Sequence, residues 1–128
     1  RENVYDYLAH LDALLMPSLH EGLPYVLLEA MALGTPVFAS RVGGLAEVVR
    51  DGETGVLLPV GDAAALRAAI VRLADDPAWG RALGAAARRE QRERYTLERM
   101  GQETWRVYEA AAARAAERAA AGRADRAG

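Results

Sequence analysis

Residues His20 to Ser40 read HEGLPYVLLEAMALGTPVFAS, and this stretch decides the fold class. Leucine, glutamate, alanine and methionine dominate positions 23–33, and all four favour helix. Gly34 follows where a left-handed C-cap belongs, and Pro36 prevents the helix from continuing. The apolar run from Pro36 to Ser40 is typical of a short buried strand. The stretch therefore predicts a helix that leads directly into a strand.

The same alternation continues on both sides of this stretch. Before it, a helix capped by Asn3 precedes the apolar run Ala13–Met16, which is typical of a strand buried on both faces. After it, Gly43-Gly44 is predicted to form a tight turn before a short helix at 45–50. A third strand is predicted at 55–59. Three further helices are predicted to begin after Asp62, at Pro77 and after Thr96.

Strands that alternate with helices indicate an α/β protein with a parallel sheet and flanking helices. Three strands are fewer than a parallel sheet usually has. We therefore expect the N-terminal part of the sheet to lie in sequence that precedes residue 1.

Composition narrows the classes of function. The chain has 128 residues, of which 52% are hydrophobic, and this suits one domain. A net charge of −2 provides no basic surface for a nucleic acid. The lack of cysteine excludes disulfides and thiolate metal sites and fits a reducing compartment. No apolar run reaches the roughly 20 residues of a transmembrane segment. We expect a cytoplasmic protein, with any membrane association supplied by upstream sequence.

The first candidate site is the start of the helix at position 23. It follows a parallel strand, and ligands of open α/β sheets bind at that edge. Unpaired N–H groups and the helix dipole favour an anion there, typically a phosphate. The expected donors to a diphosphate are the amides of Gly22, Leu23, Tyr25 and Val26, with Pro24 setting the first helical turn.

Two carboxylates accompany this helix start. Glu29 lies roughly 7–8 Å along the axis from Pro24, a distance that suits the ribose of a bound nucleotide. Glu21 would repel a diphosphate, so it suits the hydroxyls and the developing positive charge of an attached sugar. The alternative is structural: Glu29 as a helix-forming surface residue and Glu21 as a favourable charge near a helix start.

Three motifs carry a resemblance to a known family. They are Pro17-Ser18, Glu21-Gly22-Leu23-Pro24 and the run EAMALGTPV from Glu29 to Val37. Together they resemble the signature of retaining nucleotide-sugar glycosyltransferases with the GT-B fold, of the family 4 type. The similarity extends over about residues 4–108.

The resemblance implies a two-domain enzyme with a Rossmann-like donor domain at its C-terminus. It implies that Glu21 contacts the donor sugar as the catalytic residue, and that Glu29 binds the ribose. It also implies transfer with retention, usually without a metal and with no cofactor besides the nucleotide-sugar substrate. The family's basic Arg and Lys pair and its N-terminal acceptor domain would lie upstream, and the acceptor is unknown.

We therefore expect residues 1–94 to complete the donor domain, 95–121 to form a C-terminal helix and 122–128 to be a disordered tail. Such a piece is expected to be inactive alone. Two other functions remain open: a non-catalytic nucleotide-sugar-binding or protein-interaction module of this fold, and a helical interaction segment in the alanine-arginine tail. The tail lacks large apolar anchors, which argues against the latter.

The remaining notable residues have structural interpretations. His10 and His20 are predicted to be surface and loop residues, and Glu47 to make a structural hydrogen bond. For Gly43-Gly44 the alternative to a tight turn is that the pair shapes the floor of the site near the sugar. The charged run Arg88–Arg94 is predicted to be a solvated helix face. Core positions are predicted for Trp79 and Trp105, and an inner face of the last helix for Leu97, Met100, Thr104, Val107 and Ala111.

Overall fold

The computed structural model of the chain describes the backbone of residues 3–127 and the side chains of residues 3–118. It divides into two units, one that runs up to Arg94 and one that starts at Tyr95. The elements of the first unit are, in chain order, α1 (Val4–Ala9), β1 (Leu14–Met16), α2 (Tyr25–Leu33), β2 (Val37–Ser40), α3 (Gly43–Val48), β3 (Val56–Leu58), α4 (Ala63–Asp75) and α5 (Pro77–Arg94). The second unit is one helix, α6 (Leu97–Ala127).

The three strands form one parallel sheet in the order β1-β2-β3. Leu14 pairs with Val37, and Phe38 pairs with Val56. This confirms the predicted α/β class with flanking helices. Every residue of the central strand β2 is buried, as predicted. The prediction that β1 is buried on both faces is wrong: Leu15 is 40% exposed, because β1 is an edge strand of the described sheet.

Helix α2 starts two residues later than predicted and ends where predicted. Pro24 is its N-cap, with an extended ψ of 135°, so Leu23 lies in the loop and Tyr25 is the first helical residue. At the other end Gly34 has a φ of 80°. The N–H groups of Gly34 and Thr35 donate to carbonyls of the last turn at 3.0 and 2.9 Å. This is the predicted left-handed cap, and it pairs carbonyls that the helix end leaves open.

Helix α1 is tied to the C-terminal end of α2. The hydroxyl of buried Thr35 donates to the carbonyl of Leu8 at 2.7 Å, and Leu8 is itself buried. Val4, one turn earlier in α1, is exposed. Asn3 precedes the helix, but its side-chain amide donates to the Asp6 carboxylate and does not cap the backbone.

The sequence predicted a separate tight turn at Gly43 and Gly44, and this prediction is wrong. The two glycines are the first two residues of α3, which ends at Val48 rather than at Arg50. Val42 before them is extended, and two N–H groups of the following turn donate to its carbonyl at 3.1 and 3.2 Å. These hydrogen bonds form the first turn of α3, which contains the two glycines.

The N-termini of α4 and α5 confirm the predicted signals. Asp62 accepts a hydrogen bond from the Ala65 N–H at 2.8 Å, which caps α4. Asp76 accepts one from the Trp79 N–H at 3.1 Å, and Pro77 is the first residue of α5. Each helix thus begins where a carboxylate satisfies a backbone donor.

A buried apolar cluster lies between the sheet and these two helices. Its centre is Phe38 of β2, with Leu58, Ala69 and Leu83 around it. The Trp79 ring lies 5.7 Å from the Phe38 ring, and the Arg72 guanidinium stacks 3.9 Å from the Trp79 ring centroid. The prediction that Trp79 is a core residue is therefore confirmed, with a cation–π contact added.

The charged run on α5 is not uniformly solvated, contrary to the prediction. Glu90 is 5% exposed, and its carboxylate pairs with Arg50 at 2.7 Å and with Arg94 at 3.1 Å. Arg50 follows α3, so this pair joins two elements that are distant in sequence. A buried carboxylate requires such partners, because desolvation of an unpaired charge is costly.

Helix α6 is described by itself. Thr96 caps it, as predicted, by accepting from the Arg99 N–H at 3.2 Å. The helix extends to Ala127, beyond the predicted end at 121, because alanine and arginine continue to favour helix. The predicted inner face is solvated: Leu97 is 81% exposed. Trp105 is 65% exposed, so its predicted core position is wrong; its indole N–H donates to the Glu109 carboxylate at 2.8 Å.

Over the described residues, no helix combines the length and the apolar character that a membrane crossing requires.

Candidate functional site

Two loops meet at the carboxyl edge of the sheet. Residues 17–24 connect β1 to α2, and Arg41-Val42 connect β2 to α3. Because neighbouring parallel strands end at the same edge, both loops lie where open α/β sheets bind ligands. The predicted site residues are in the first loop, in the first turn of α2 and, for Glu29, deeper in that helix.

The N-terminus of α2 is accessible. Gly22 and Leu23 are exposed, and a Cβ added at Gly22 would meet no atom within 4 Å. Tyr25 and Val26 are the first two helical residues, and helix geometry gives their N–H groups no intrahelical acceptor. Pro24 lies just outside the helix rather than in its first turn. These amides and the positive end of the helix dipole make this edge favourable for an anion.

Glu21 is held by its own loop. It is half-buried, and its Oε1 accepts a hydrogen bond from the Ser18 hydroxyl at 3.0 Å. This bond engages one carboxylate oxygen. A carboxylate has acceptor capacity on both oxygens, so Glu21 can still accept from a ligand hydroxyl.

Glu29 is held from a different helix. It is the fifth residue of α2, so it lies about 6 Å along the axis from Tyr25. Its Oε1 accepts from the Tyr5 hydroxyl of α1 at 3.2 Å. This hydrogen bond, followed by the negative charge of Glu29 and a small desolvation effect, raises the pKa of Tyr5 above its ordinary value of 10.0. Tyr5 therefore stays a donor to Glu29 throughout the neutral range.

The start of α3 packs directly on the loop that carries Glu21. A Cβ built on Gly43 would lie 1.9 Å from the Glu21 carbonyl oxygen. A Cβ built on Gly44 would lie 2.4 Å from the Gly22 carbonyl oxygen and 3.0 Å from the Leu23 Cα. The two backbones are thus in contact with no space for a side chain between them.

A protein-family model identifies the family. The family model described as "Glycosyl transferases group 1" matches residues 1–76. The chain belongs to the group 1 glycosyltransferases.

Relatives and solved structures agree with this assignment. The chain is 41% identical over 116 residues to an MMP alpha-(1->4)-mannosyltransferase of Mycolicibacterium hassiacum. The aligned stretch covers 90% of this chain and 28% of that protein. Sucrose-phosphate synthase from Thermosynechococcus elongatus superposes with a TM-score of 0.78 at 40% identity, covering 84% of this chain and 27% of that one. Anabaena HepE in complex with UDP-glucose superposes with a TM-score of 0.76 at 25% identity, covering 81% of this chain and 29% of that one. The chain thus spans less than a third of the length of each of these three proteins.

Sequence reasoning missed the partners that hold the two glutamates. Ser18 was part of a recognised motif, and it lies only three positions before Glu21 in the same loop. That signal could have indicated the bond. Tyr5 gave no signal, because it is 24 positions away from Glu29 on another helix. A place for Gly43-Gly44 near the sugar was one alternative from the sequence, but the backbone contact of Gly43 with Glu21 could not be predicted from it.

The site has no metal-binding cluster among the described residues. No group of three or more His, Cys, Asp or Glu side chains in that part of the chain is placed to hold an ion.

Proposed function

We propose that this chain supplies the donor half-site of a glycosyltransferase that transfers a sugar from a nucleotide-diphosphate sugar to an acceptor with retention of anomeric configuration. One observation carries the proposal. Two carboxylates flank the N-terminus of α2 at the carboxyl edge of the sheet, and each is held by a separate hydrogen bond, Ser18 to Glu21 and Tyr5 to Glu29. The names of the relatives, all sugar-transferring enzymes, and the UDP-glucose complex of HepE support it.

The diphosphate is assigned to the N-terminus of α2. The amides of Gly22, Leu23, Tyr25 and Val26 would donate to its oxygens, and Pro24 would fix the entry of the chain into the helix. Negative charge grows on the diphosphate as it leaves, and donors that are already oriented stabilise such charge without reorganisation. The exposed Gly22 leaves room for this approach.

The two ends of the donor are assigned to the two carboxylates. Glu29, about 6 Å into the helix, would accept hydrogen bonds from the ribose hydroxyls. Glu21, in the loop before the helix, would bind the hydroxyls of the sugar. It would also stabilise the positive, oxocarbenium-like charge that forms when the anomeric bond breaks. The diphosphate lies between them, so neither carboxylate has to face it directly.

The remaining parts of the reaction are expected from the rest of the full-length protein. They are a cationic Arg and Lys pair for the leaving diphosphate and a domain that binds the acceptor. Glycosyl transfer needs donor and acceptor held together in a water-poor site. We therefore propose that this chain forms one wall of that site.

The test compares three variants of the full-length protein in an assay for nucleoside diphosphate release, with a panel of nucleotide sugars and acceptors. Glu29→Ala should weaken binding of the nucleoside diphosphate by about 1.5–3 kcal/mol, since hydrogen bonds to a charged group are lost. Glu21→Gln should lower turnover while that affinity is retained. The matched control is Glu53→Gln, which removes an exposed carboxylate that lies 3.4 Å from the Arg50 guanidinium.

Calorimetric titration measures the affinity and the release assay measures the turnover. Unchanged affinity in Glu29→Ala refutes the ribose assignment. Unchanged turnover in Glu21→Gln refutes the sugar assignment.

A further inference from the structure

We propose that Gly43 and Gly44 are positioning residues for the donor site, because they set the place of the Glu21 carboxylate through backbone contact. The inference rests on the proposed role of Glu21. It adds the first two residues of α3 to the site through backbone contact.

The contact is specific to the backbone that carries Glu21. The Cβ of any residue at position 43 would lie 1.9 Å from the Glu21 carbonyl oxygen, and at position 44 it would lie 2.4 Å from the Gly22 carbonyl oxygen. Real Cβ atoms essentially never approach a heavy atom closer than 3.0 Å, so relief at position 43 requires a movement of about 1 Å. The opposing atoms are backbone, so no side-chain rotation can relieve the contact.

The Glu21 loop is held from both sides. The Ser18 hydroxyl binds the carboxylate at 3.0 Å, and the start of α3 contacts the carbonyl of the same residue. A displacement forced at Gly43 therefore moves Glu21 relative to α2, which begins only four residues later. Glu29 is anchored separately by Tyr5 and lies within α2, so the ribose end of the site should stay in place.

The expected effect on turnover is large. A misplacement of about 1 Å at a reacting centre costs on the order of 100-fold in rate. Gly43→Ala and Gly44→Ala should each lower kcat by that order. In Gly43→Ala the affinity for the nucleoside diphosphate should change much less, because the contact there is with the backbone of Glu21. In Gly44→Ala that affinity should fall as well, because the contact is with Gly22 and Leu23, whose amides are proposed donors to the diphosphate.

Gly52→Ala is the matched control. Gly43 has a φ of 41°, so an alanine there adds backbone strain as well as the contact. Gly52 has a φ of 76° but no atom within 4 Å of its added Cβ, so it reproduces the strain without the contact. Gly44 does not have a positive φ, so Gly44→Ala reproduces the contact without that strain.

The experiment is a double-mutant cycle in the full-length protein. The probes are the nucleotide sugar that the unaltered protein turns over fastest and its nucleoside diphosphate. If Gly43 acts through Glu21, Gly43→Ala should lower kcat strongly alone but add little in the Glu21→Gln background. If Gly43 has a purely structural role, Gly43→Ala should lower kcat by the same factor in the unaltered protein and in the Glu21→Gln variant. The melting temperature of each variant is measured alongside.

The outcomes separate this inference from the proposed function. If Glu21→Gln leaves turnover unchanged, the proposed function of Glu21 fails first. If Glu21→Gln lowers turnover but both glycine variants retain it, the positioning role is overturned. It is also overturned if the glycine substitutions lower kcat by the same factor with and without Glu21→Gln. Unfolding of both glycine variants under conditions where Gly52→Ala stays folded would also overturn it, because the pair would then serve stability alone.

Discussion

Replacement of Gly84 by alanine tests how α5 seats the helix that carries Glu29. Gly84 is buried in α5, and a Cβ there would lie 1.9 Å from the carbonyl oxygen of Gly34, the C-cap of α2. The carbonyl belongs to a left-handed cap that is itself hydrogen-bonded, so it cannot rotate away. The contact can be relieved only if α5 moves away from the C-terminal end of α2.

The magnitude follows from two opposing effects. Overpacking against rigid neighbours costs up to about 3 kcal/mol. Alanine in a helix interior is favoured over glycine by about 1 kcal/mol. Gly84→Ala should therefore lower the free energy of unfolding by about 2 kcal/mol.

Gly80→Ala is the matched control one turn earlier in the same helix. Its added Cβ would lie 2.2 Å from Leu73 Cδ1, the end of a flexible and only half-buried side chain. Rotation of Leu73 relieves this contact, so the helix-propensity gain should offset most of the cost. Gly80→Ala should leave the stability within about 1 kcal/mol of the unaltered chain.

Urea unfolding of the 128-residue chain, followed by circular dichroism, measures both variants. The midpoint of Gly84→Ala should fall while the slope of free energy against urea stays constant. If Gly84→Ala is as stable as Gly80→Ala, the close contact of α5 with Gly34 is not a constraint and the packing argument fails.

Two further predictions concern the site. The pKa of Tyr5 is raised by Glu29, so the phenol should ionise above pH 10.0, and Glu29→Gln should lower this pKa toward 10.0. Because the folded-state pKa is the higher one, the stabilising contribution is present below pH 10.0 and is lost as pH rises through the folded-state pKa. NMR titration with ring-labelled tyrosine, with Tyr5→Phe to assign the signal, checks this, and an unchanged pKa in Glu29→Gln contradicts it. Excess chelator should leave turnover by the full-length protein nearly intact, because the proposed site stabilises the leaving diphosphate with the amides at the start of α2 rather than with a metal ion. Activity that chelator abolishes and manganese or magnesium restores would show that a metal is required.

Local sequence signals determined where many of the helices begin and end. The C-cap at Gly34, the N-caps at Asp62 and Thr96, and the first-turn proline at Pro77 all act through residues within a few positions of one another. Such interactions depend on the chain's local conformation, so they can be predicted without knowledge of the fold. The alternation of helices and apolar runs likewise predicted the parallel sheet, and the single stretch His20–Ser40 indicated both glutamates of the candidate site.

Only the tertiary structure decided which distant residues hold those glutamates and which surfaces are buried. Tyr5 reaches Glu29 across 24 positions, and Gly43 meets Glu21 because two loops end at the same sheet edge. The charges of α5 looked uniformly solvated until the fold brought Arg50 to Glu90. The residues of a strand also do not show whether the strand lies at the edge or at the centre of a sheet. In the described sheet Leu15 of the edge strand β1 is exposed, and Phe38 of the central strand β2 is buried. These contacts depend on how elements pack in space, and no local pattern in the sequence encodes that.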